Sequence, residues 1–211
     1  MPESPAGFDA NRRLYAQMRP DDPSLDHLLA LQEAAAAQPG VEHDALRHPA
    51  RARAPRPVPR RQLHLTLIHF GKVLDVHRVI STVTGISLPA YEELLPGYIA
   101  RTEALLPGTS FRLQPVGAAG FGAHGRTLVV EYEPTPELTA LHGALLQELE
   151  SFLGKCGITD TGAFMAQDAN FMFARTLRPH ITLVRGYTGR VPALDLEPVT
   201  LASMPVVYPG R

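Results

Sequence analysis

Apolar and polar residues alternate with a period of two in several stretches of the chain, which is the pattern of half-buried β-strands. The stretch RRLYAQMRP, residues 12–20, alternates until its final proline and predicts the first strand. Residues 110–134 predict two strands around a glycine-rich turn. The other strand-like stretches are RRQLHLTLIHFGKV (60–73), LRPHITLVRG (177–186) and a short segment near 204–208.

Apolar residues spaced three to four positions apart predict two helices. Residues 24–40 carry four leucines at this spacing, with Ser24 as the expected N-cap and a Pro-Gly pair at the end. Residues 134–155 give the clearest helical pattern, with Thr135 as the expected cap and a proline in the first turn. His142 lies at the edge of the apolar stripe of this second helix, and we interpret it as a structural residue.

Three segments lack one clear periodicity. Residues 75–106 are expected to be helical in pieces, with breaks at Pro89 and Pro96. Residues 47–61, RHPARARAPRPVPRR, contain six arginines and four prolines but no acidic residue, so they predict an extended loop. Residues 157–179 predict a long connection, and such connections in compact domains are often functional or mobile.

The predicted elements occur twice in a similar order. A strand and a helix precede the first histidine-containing strand, and a strand pair and a helix precede the second. This loose duplication predicts an α+β architecture in which two related lobes face each other across a cleft. We therefore expect residues 1–211 to form a single bilobal domain, with residues 47–61 as a loop within it.

The most informative feature is a motif that occurs in both halves, HLTL in the first and HITL in the second. His64 and Thr66 occupy alternate strand positions and share one face, as do His180 and Thr182. A single pair of this kind is usually structural, because threonine is an ordinary strand residue and histidines are often satisfied within a fold. No other histidine of the chain has Ser or Thr two positions later. The repetition therefore favours a functional role.

Bulk composition narrows the function classes. The net charge of −1 and the pI of about 6.8 give no global attraction to nucleic acids or anionic membranes, so any such affinity must be local. The single cysteine, Cys156, excludes a disulfide framework and a cysteine-rich zinc site. No stretch of the sequence has the pattern of a signal peptide or a membrane span. We expect a cytoplasmic monomer with no membrane partner.

Two other kinds of site are disfavoured. GFGAHG, residues 120–125, has the glycine spacing of dinucleotide-binding loops, but a strand pattern follows it where a helix is needed, which indicates a hairpin turn. A metal site needs three or four convergent ligands, and strict alternation would place His64 and His69 on opposite faces. No carboxylate accompanies either motif histidine. We therefore expect neither a metal nor another cofactor.

Two imidazoles across a cleft suit a reaction that needs both a proton acceptor and a proton donor. The ordinary pKa of histidine is about 6.5, so one ring can be neutral while the other is charged at neutral pH. The threonine hydroxyls can donate hydrogen bonds to an anion between them, and phosphate is the natural candidate. One histidine would activate the attacking water, and the other would protonate the leaving oxygen.

With these two motifs, the chain resembles the two-histidine (2H) phosphoesterase superfamily. The opening strand and helix, VPRRQLHLTLIHFGKV, the glycine turn within residues 113–134, the helix after it and LRPHITLVRG are similar to the branch of 2'-5' RNA ligases and RNA 2',3'-cyclic phosphodiesterases. The resemblance covers roughly residues 12–190. It implies a bilobal α+β fold in which two mainly antiparallel sheets flank a central cleft and the helices lie outside. The residues that it implies for catalysis and phosphate binding are His64, Thr66, His180 and Thr182.

The resemblance also implies a substrate class. Members of the branch open 2',3'-cyclic phosphates to 2'-phosphomonoesters, and some join or cut 2'-5' linkages. The expected partner is therefore RNA or a nucleotide that carries a cyclic phosphate or a 2'-5' linkage. A non-catalytic module that binds RNA or nucleotides in the same cleft is the alternative. Arg185 stands where the branch often carries an arginine, although strict alternation would place it on the Ile181 face.

Two further groups of residues are candidates for substrate binding. Arg51, Arg53 and Arg56 of the arginine-rich loop would contact phosphates along an RNA strand, with a solvated linker as the alternative. Phe171 and Phe173 would stack on a base at the mouth of the cleft, with core packing as the alternative.

Overall fold

The computed structural model describes residues 13–37, 55–106, 108, 110–168, 170–187, 190–203 and 207–208. Its strands are β1 (Arg13–Pro20), β2 (Arg56–Pro57), β3 (Leu65–Lys72), β4 (Ser110–Leu113), β5 (Pro115–Phe121), β6 (Thr127–Tyr132), β7 (His180–Arg185), β8 (Val199–Ser203) and β9 (Val207–Tyr208). Its α-helices are α1 (Asp22–Ala37), α2 (Val73–Thr84), α3 (Leu88–Leu105), α4 (Pro136–Lys155) and α5 (Thr161–Gln167).

The strands form an antiparallel sheet in the order β4-β8-β1-β3-β7-β6-β5, with β2 beside β7 and β9 beside β1. The strands of the two halves meet between β3 and β7, where Leu65 pairs with Ile181. The α+β class and the antiparallel strands predicted from the sequence are thus confirmed. The two expected sheets are connected through this single backbone pairing, so the two histidine strands lie side by side.

The core is built on one face of this sheet. Helices α2 and α4 pack against β3, while α1 packs against β1 and β7. The ring of Phe152 on α4 lies 5.6 Å from the ring of Phe70, 5.6 Å from that of Tyr91 and 5.0 Å from that of Tyr98, measured between centroids. All four side chains are almost fully buried. Aromatic packing between the helices and β3 therefore fixes the backbone of the first histidine strand.

The predicted helix starts are correct for α4 and wrong for α1. The hydroxyl of Thr135 accepts a hydrogen bond from the amide of Leu138 at 3.2 Å, which caps α4 as expected. At α1 the cap is the carboxylate of Asp21, which accepts from the amide of Ser24 at 3.0 Å. The hydroxyl of Ser24 instead accepts from the amide of Thr200 at 2.9 Å and ties α1 to β8.

Of the two breaks predicted in the helical residues 75–106, the structure contains one. Helix α2 ends before Gly85, which has a φ of 73°, and Pro89 lies in the first turn of α3. The predicted break at Pro96 is wrong, because α3 continues through this residue. Proline removes one backbone hydrogen bond from a helix, but α3 packs along α4 and buries residues such as Tyr91 and Leu95. This packing holds the helix together across Pro96.

Part of the arginine-rich segment is ordered structure, contrary to the prediction of an extended loop. Arg56 and Pro57 form β2 and pair with β7, and Val58 is 3% exposed. Arg60 forms ion pairs with Asp22 and Asp26 on α1. This part of the segment is ordered because it pairs with the backbone of β7, and the composition of the segment does not indicate that pairing.

The other predicted segments are found with changed boundaries. The hairpin turn predicted at GFGAHG joins β5 to β6, and a short β4 precedes it, so residues 110–134 contain a third strand. The long connection contains the seven-residue helix α5. The final strand is divided into β8 and β9.

Candidate active site

The two motifs lie side by side in a local two-fold arrangement. The residues that pair between β3 and β7 are the middle residues of the two motifs. Because the strands run antiparallel, His64 lies alongside Thr182, and Thr66 lies alongside His180. These four side chains are half-buried, whereas the middle residues are fully buried against the helices. We call the side of the sheet that carries these four residues the polar face.

Each motif histidine is oriented by the same backbone contact. Nδ1 of His64 lies 2.6 Å from the carbonyl oxygen of Gln62, and Nδ1 of His180 lies 2.7 Å from that of Arg178. A carbonyl oxygen only accepts hydrogen bonds, so Nδ1 is the protonated nitrogen in both rings. Nε2 is thereby left for proton transfer on both sides of the site.

A β-bulge brings Arg185 to the polar face, so the expectation from strict alternation is wrong. Val129 pairs with Thr182, but the next residue of β6 towards its N-terminus, Leu128, pairs with Val184. Leu183 is therefore the extra residue of β7, and the alternation reverses beyond it. Arg185 is exposed on the same side as the motif residues, and its charge acts on the ring of His64.

A buried glutamine holds this bulge in place. Nε2 of Gln32 on α1 donates to the carbonyl oxygen of Leu183 at 2.7 Å and to that of Val58 at 2.8 Å. The amide of Val58 also donates to the carbonyl oxygen of Leu183 at 2.8 Å. Gln32 is 4% exposed, so loss of these bonds would leave buried polar groups unpaired. Helix α1, β2 and the bulge thus form one hydrogen-bonded unit behind the site.

Bulges in β3 also place His69 on a different face from the one that strict alternation predicts. Tyr15 pairs with His69, and Gln17 pairs with Thr66, so two steps on β1 correspond to three on β3. Residues two apart on β1 share a face, and their partners do the same. His69 therefore lies on the polar face with Thr66, and not on the opposite face from His64.

The surroundings of His64 favour the neutral ring. Burial lowers the pKa of His64, and the nearby charges of Arg185 and His180 lower it further. The hydrogen bond to the carbonyl of Gln62 acts in the opposite direction but does not reverse the shift. His64 is thus suited to accept a proton near neutral pH.

The surroundings of His180 are different, and sequence reasoning missed them. The ring of Phe121 lies 4.8 Å from that of His180, and the guanidinium of Arg178 lies 4.0 Å above the Phe121 ring. Nε of Arg178 also lies 2.6 Å from the carboxylate of Glu131. Glu131 is the residue of β6 that pairs with His180. The position of Phe121 before a glycine turn was the only sequence signal for this cluster.

The remaining candidate residues differ in their exposure to solvent. Phe171 is fully buried, 5.8 Å from the ring of Phe70, so it packs in the core and cannot stack on a base. Phe173 is 73% exposed. Arg56 is exposed and pairs with Arg185 across β2 and β7. The predicted contacts of Arg51 and Arg53 lie outside the described residues.

Other potential sites in the described part of the chain differ from the motif site. A groove of about 380 Å³ lies between β4 and the start of α4, and no histidine lines it. Burial raises the pKa of Cys156 to about 11, which disfavours a reactive thiolate. Among the described residues, no group of three or more His, Cys, Asp or Glu side chains is placed to hold a metal ion. None of the described helices is long and apolar enough to cross a membrane.

Several solved structures are similar to the chain. TT0787 of Thermus thermophilus shares 22% identity at a TM-score of 0.48, with 94% of this chain and 84% of TT0787 covered. LigT of E. coli, solved with 3'-AMP, shares 18% identity at a TM-score of 0.42, with 91% and 83% covered. LigT solved with NADP+ shares 17% identity at a TM-score of 0.47, with 92% and 84% covered.

The family assignment comes from the sequence. No curated protein matches the chain. The sequence model of the 2'-5' RNA ligase superfamily matches residues 31–193, a range that includes both histidine motifs, the bulge of β7 and Arg185. The match extends over more than half of the chain, and the protein therefore belongs to the 2'-5' RNA ligase superfamily.

Proposed function

We propose that the protein is a cyclic phosphodiesterase that opens 2',3'-cyclic phosphates at RNA or nucleotide ends to 2'-phosphomonoesters without a metal ion. The observation that carries this proposal is the paired arrangement of the two motifs. Each places one imidazole, anchored through Nδ1, next to the threonine of the other motif. A single phosphate between the strands would meet two rings that transfer protons through Nε2 and two hydroxyl donors.

The two histidines have different roles in this reaction. His64 begins neutral, because burial and the charge of Arg185 lower its pKa, and its Nε2 accepts a proton from the attacking water. The water oxygen bonds to phosphorus as the bond to O3' breaks. His180, as the acid of the pair, donates its Nε2 proton to O3'. The product is the 2'-phosphate, and each histidine ends in the protonation state in which the other began.

The threonines and Arg185 stabilise the phosphate as negative charge develops on its oxygens. The hydroxyls of Thr66 and Thr182 lie on the polar face beside the opposite histidines and donate to the non-bridging oxygens. The guanidinium of Arg185, turned to this face by the bulge, adds a positive charge that is always present. Such preorganised donors need no rearrangement during the reaction.

Cleavage or joining of 2'-5' linkages is the second candidate function, because the matched superfamily carries that name. It uses the same proton transfers at the same phosphate. A binding module without catalysis is the remaining alternative. Binding alone does not require both imidazoles to be anchored through Nδ1, which favours an enzyme.

A phosphorus NMR assay tests the proposal directly. The purified protein is incubated, with EDTA in excess, with a panel of 2',3'-cyclic nucleotides, other cyclic nucleotides and 2'-5' linked dinucleotides. We expect the cyclic phosphate signal to be replaced by that of a 2'-phosphomonoester, with EDTA having no effect. The double variant His64→Ala/His180→Ala is the matched control. Turnover that EDTA abolishes and a divalent ion restores would contradict the mechanism, and turnover of only 2'-5' linkages would favour the second candidate.

A further inference from the structure

A second aromatic cluster lies on the polar face beyond the motif residues. The rings of Tyr15 and His69 are 5.0 Å apart between centroids and tilted by 57°. Both side chains are half-buried, while the residues on either side of each in the strand are buried in the core. This pair presents aromatic surface on the same side of the sheet as the phosphate site.

The distance of this pair from the reaction centre matches a neighbouring nucleotide. Tyr15 is two residues from Gln17, and Gln17 pairs with Thr66. Two residues of a strand span about 7 Å and paired strands lie about 5 Å apart, so Tyr15 is roughly 8–9 Å from Thr66. This is the scale of one step along an extended single-stranded nucleic acid, so a chain whose terminal phosphate lies at Thr66 would bring its next nucleotide over Tyr15 and His69.

The cluster is held in place by contacts from three segments. Nη1 of Arg13 donates to the hydroxyl of Tyr15 at 3.1 Å, and Nδ1 of His69 donates to the carbonyl oxygen of Asn170 at 3.3 Å. Gly71, with a φ of 101°, allows the side chain of Asn170 to approach, since a Cβ there would lie 2.9 Å from Oδ1 of Asn170. Both rings thus have a hydrogen-bond partner in the absence of a ligand.

Burial favours the uncharged ring of His69. Burial is the largest effect on the pKa of His69 and lowers it, as does the nearby charge of Arg13. The hydrogen bond to the carbonyl of Asn170 and the charge of Asp168 act in the opposite direction. The imidazole is thus neutral at neutral pH, and a carboxylate lies within its electrostatic reach. Charges of both signs lie near the cluster, so the two ring faces, and not charge, are what would select a base.

We propose that Tyr15 and His69 form a stacking site for the base of the second nucleotide, which lies on the 5' side of the nucleotide that carries the cyclic phosphate. The preferred substrate is then an oligonucleotide end and not a mononucleotide. This inference rests on the proposed function, because it takes the phosphate site at the two motifs as the reference point. Stacking on aromatic side chains tolerates any base, so the site recognises a second nucleotide and not its sequence.

The test compares two substrates in a set of variants. Rates are measured for a 2',3'-cyclic mononucleotide and for a dinucleotide ending in the same cyclic phosphate. In His69→Ala and Tyr15→Leu, we expect kcat/KM for the dinucleotide to fall about tenfold, since a stacked base contributes about 1–3 kcal/mol. The mononucleotide rate should stay within about twofold of wild type, because stacking at the second base is absent for this substrate. His69→Phe, which keeps an aromatic ring, should restore most of the dinucleotide rate.

His77→Ala is the matched control. His77 is also half-buried, with Nε2 3.2 Å from the carbonyl oxygen of Ile86 and its ring 5.1 Å from that of Tyr91, but it lies on α2. It should leave the ratio of the two rates unchanged. Equal losses on both substrates in the His69 and Tyr15 variants, or no loss on either, would overturn the stacking site.

A binding measurement separates this inference from the proposed function. Titration calorimetry compares a dinucleotide and a mononucleotide that both end in a 3'-phosphate, so no turnover is needed. We expect wild type to bind the dinucleotide more tightly and His69→Ala to lose that difference. If the protein turns over no cyclic phosphate but shows this difference, the proposed function fails and the stacking site stands. Equal affinities in wild type would overturn the stacking site alone.

Discussion

The two halves of the site share a motif but differ in their surroundings. In both, Nδ1 of the histidine is bonded to the carbonyl oxygen two residues earlier. His64, however, has its pKa lowered by burial and by the charge of Arg185. His180 instead packs its ring against Phe121, beside an Arg178–Glu131 ion pair. In the proposed reaction the two rings have different tasks, with His64 as the base and His180 as the acid.

The largest expected effect is loss of either histidine. We expect His64→Ala and His180→Ala each to lower kcat by at least about a hundredfold, because each ring transfers a proton in the transition state. The double variant should be little worse than either single variant, since the rings act as a unit. Steady-state kinetics on the substrate identified by NMR measures these rates, with circular dichroism as the check on folding. Near wild-type turnover in a folded single variant would end the two-histidine account.

The asymmetry between the halves should appear in the pH profile of kcat/KM. We expect a bell with one limb on each side of neutrality, and the acidic limb to report deprotonation of His64. Arg185→Gln removes a charge that lowers the pKa of His64, so the pKa rises and the acidic limb moves to higher pH. The rate at the optimum should also fall, by about tenfold, because one charge-assisted contact to the phosphate is lost.

Arg190→Gln is the control for this shift, because Arg190 is also an exposed arginine and lies in the loop after β7. It should leave both limbs in place. An acidic limb that stays fixed in Arg185→Gln would assign that limb to a group other than His64.

Loss of either threonine hydroxyl should have a smaller effect than loss of either histidine. Thr66→Val and Thr182→Val keep the side-chain shape and remove the hydroxyl donor. We expect losses of about three- to thirtyfold in kcat/KM, partly through KM, because each hydroxyl contacts the ground-state phosphate as well as the transition state. Thr→Ser at the same positions should retain most activity. A loss confined to one threonine would show that only one half holds the phosphate.

The smallest expected effect concerns the arginine-rich segment, which joins the first half to β7 through β2. Replacement of Arg51, Arg53 and Arg56 together by glutamine should weaken oligonucleotide binding several-fold and flatten its salt dependence. Mononucleotide turnover should change less. Anisotropy titrations at several salt concentrations measure the slope. Equal effects on both ligands, or none, would identify the segment as a linker.

The sequence predicted the parts of the site that depend on regular periodicity. The shared face of His64 and Thr66 follows from alternation over one step, as does that of His180 and Thr182, and the register shifts of both strands lie beyond Thr66 and Thr182. The position of Arg185 could not be predicted in this way, because a bulge lies between it and the motif. Bulges arise from the pairing of two strands, so one strand's sequence does not reveal them.

Tertiary packing accounts for other differences. The prediction for the phenylalanine pair was wrong for Phe171, which fills a gap beside Phe70, while Phe173 two positions later is exposed. Their local sequences do not distinguish them. Likewise, α3 passes through Pro96 because its contacts with α4 outweigh one lost hydrogen bond. The Phe121 cluster was missed because its members come from separate stretches that only the sheet brings together.

The extra residue in β7 matters for what holds the site from behind. Deleting Leu183 would remove the bulge and restore regular alternation, so Thr182, Val184 and Arg185 would keep their partners on β6 and their sides of the sheet. The deletion would instead remove the carbonyl oxygen of Leu183, which accepts hydrogen bonds from Gln32 and from the amide of Val58. These bonds use a backbone atom, so most substitutions at position 183 leave them possible, whereas a deletion does not. The extra residue thus attaches α1 and β2 to the strand that carries His180 and Arg185.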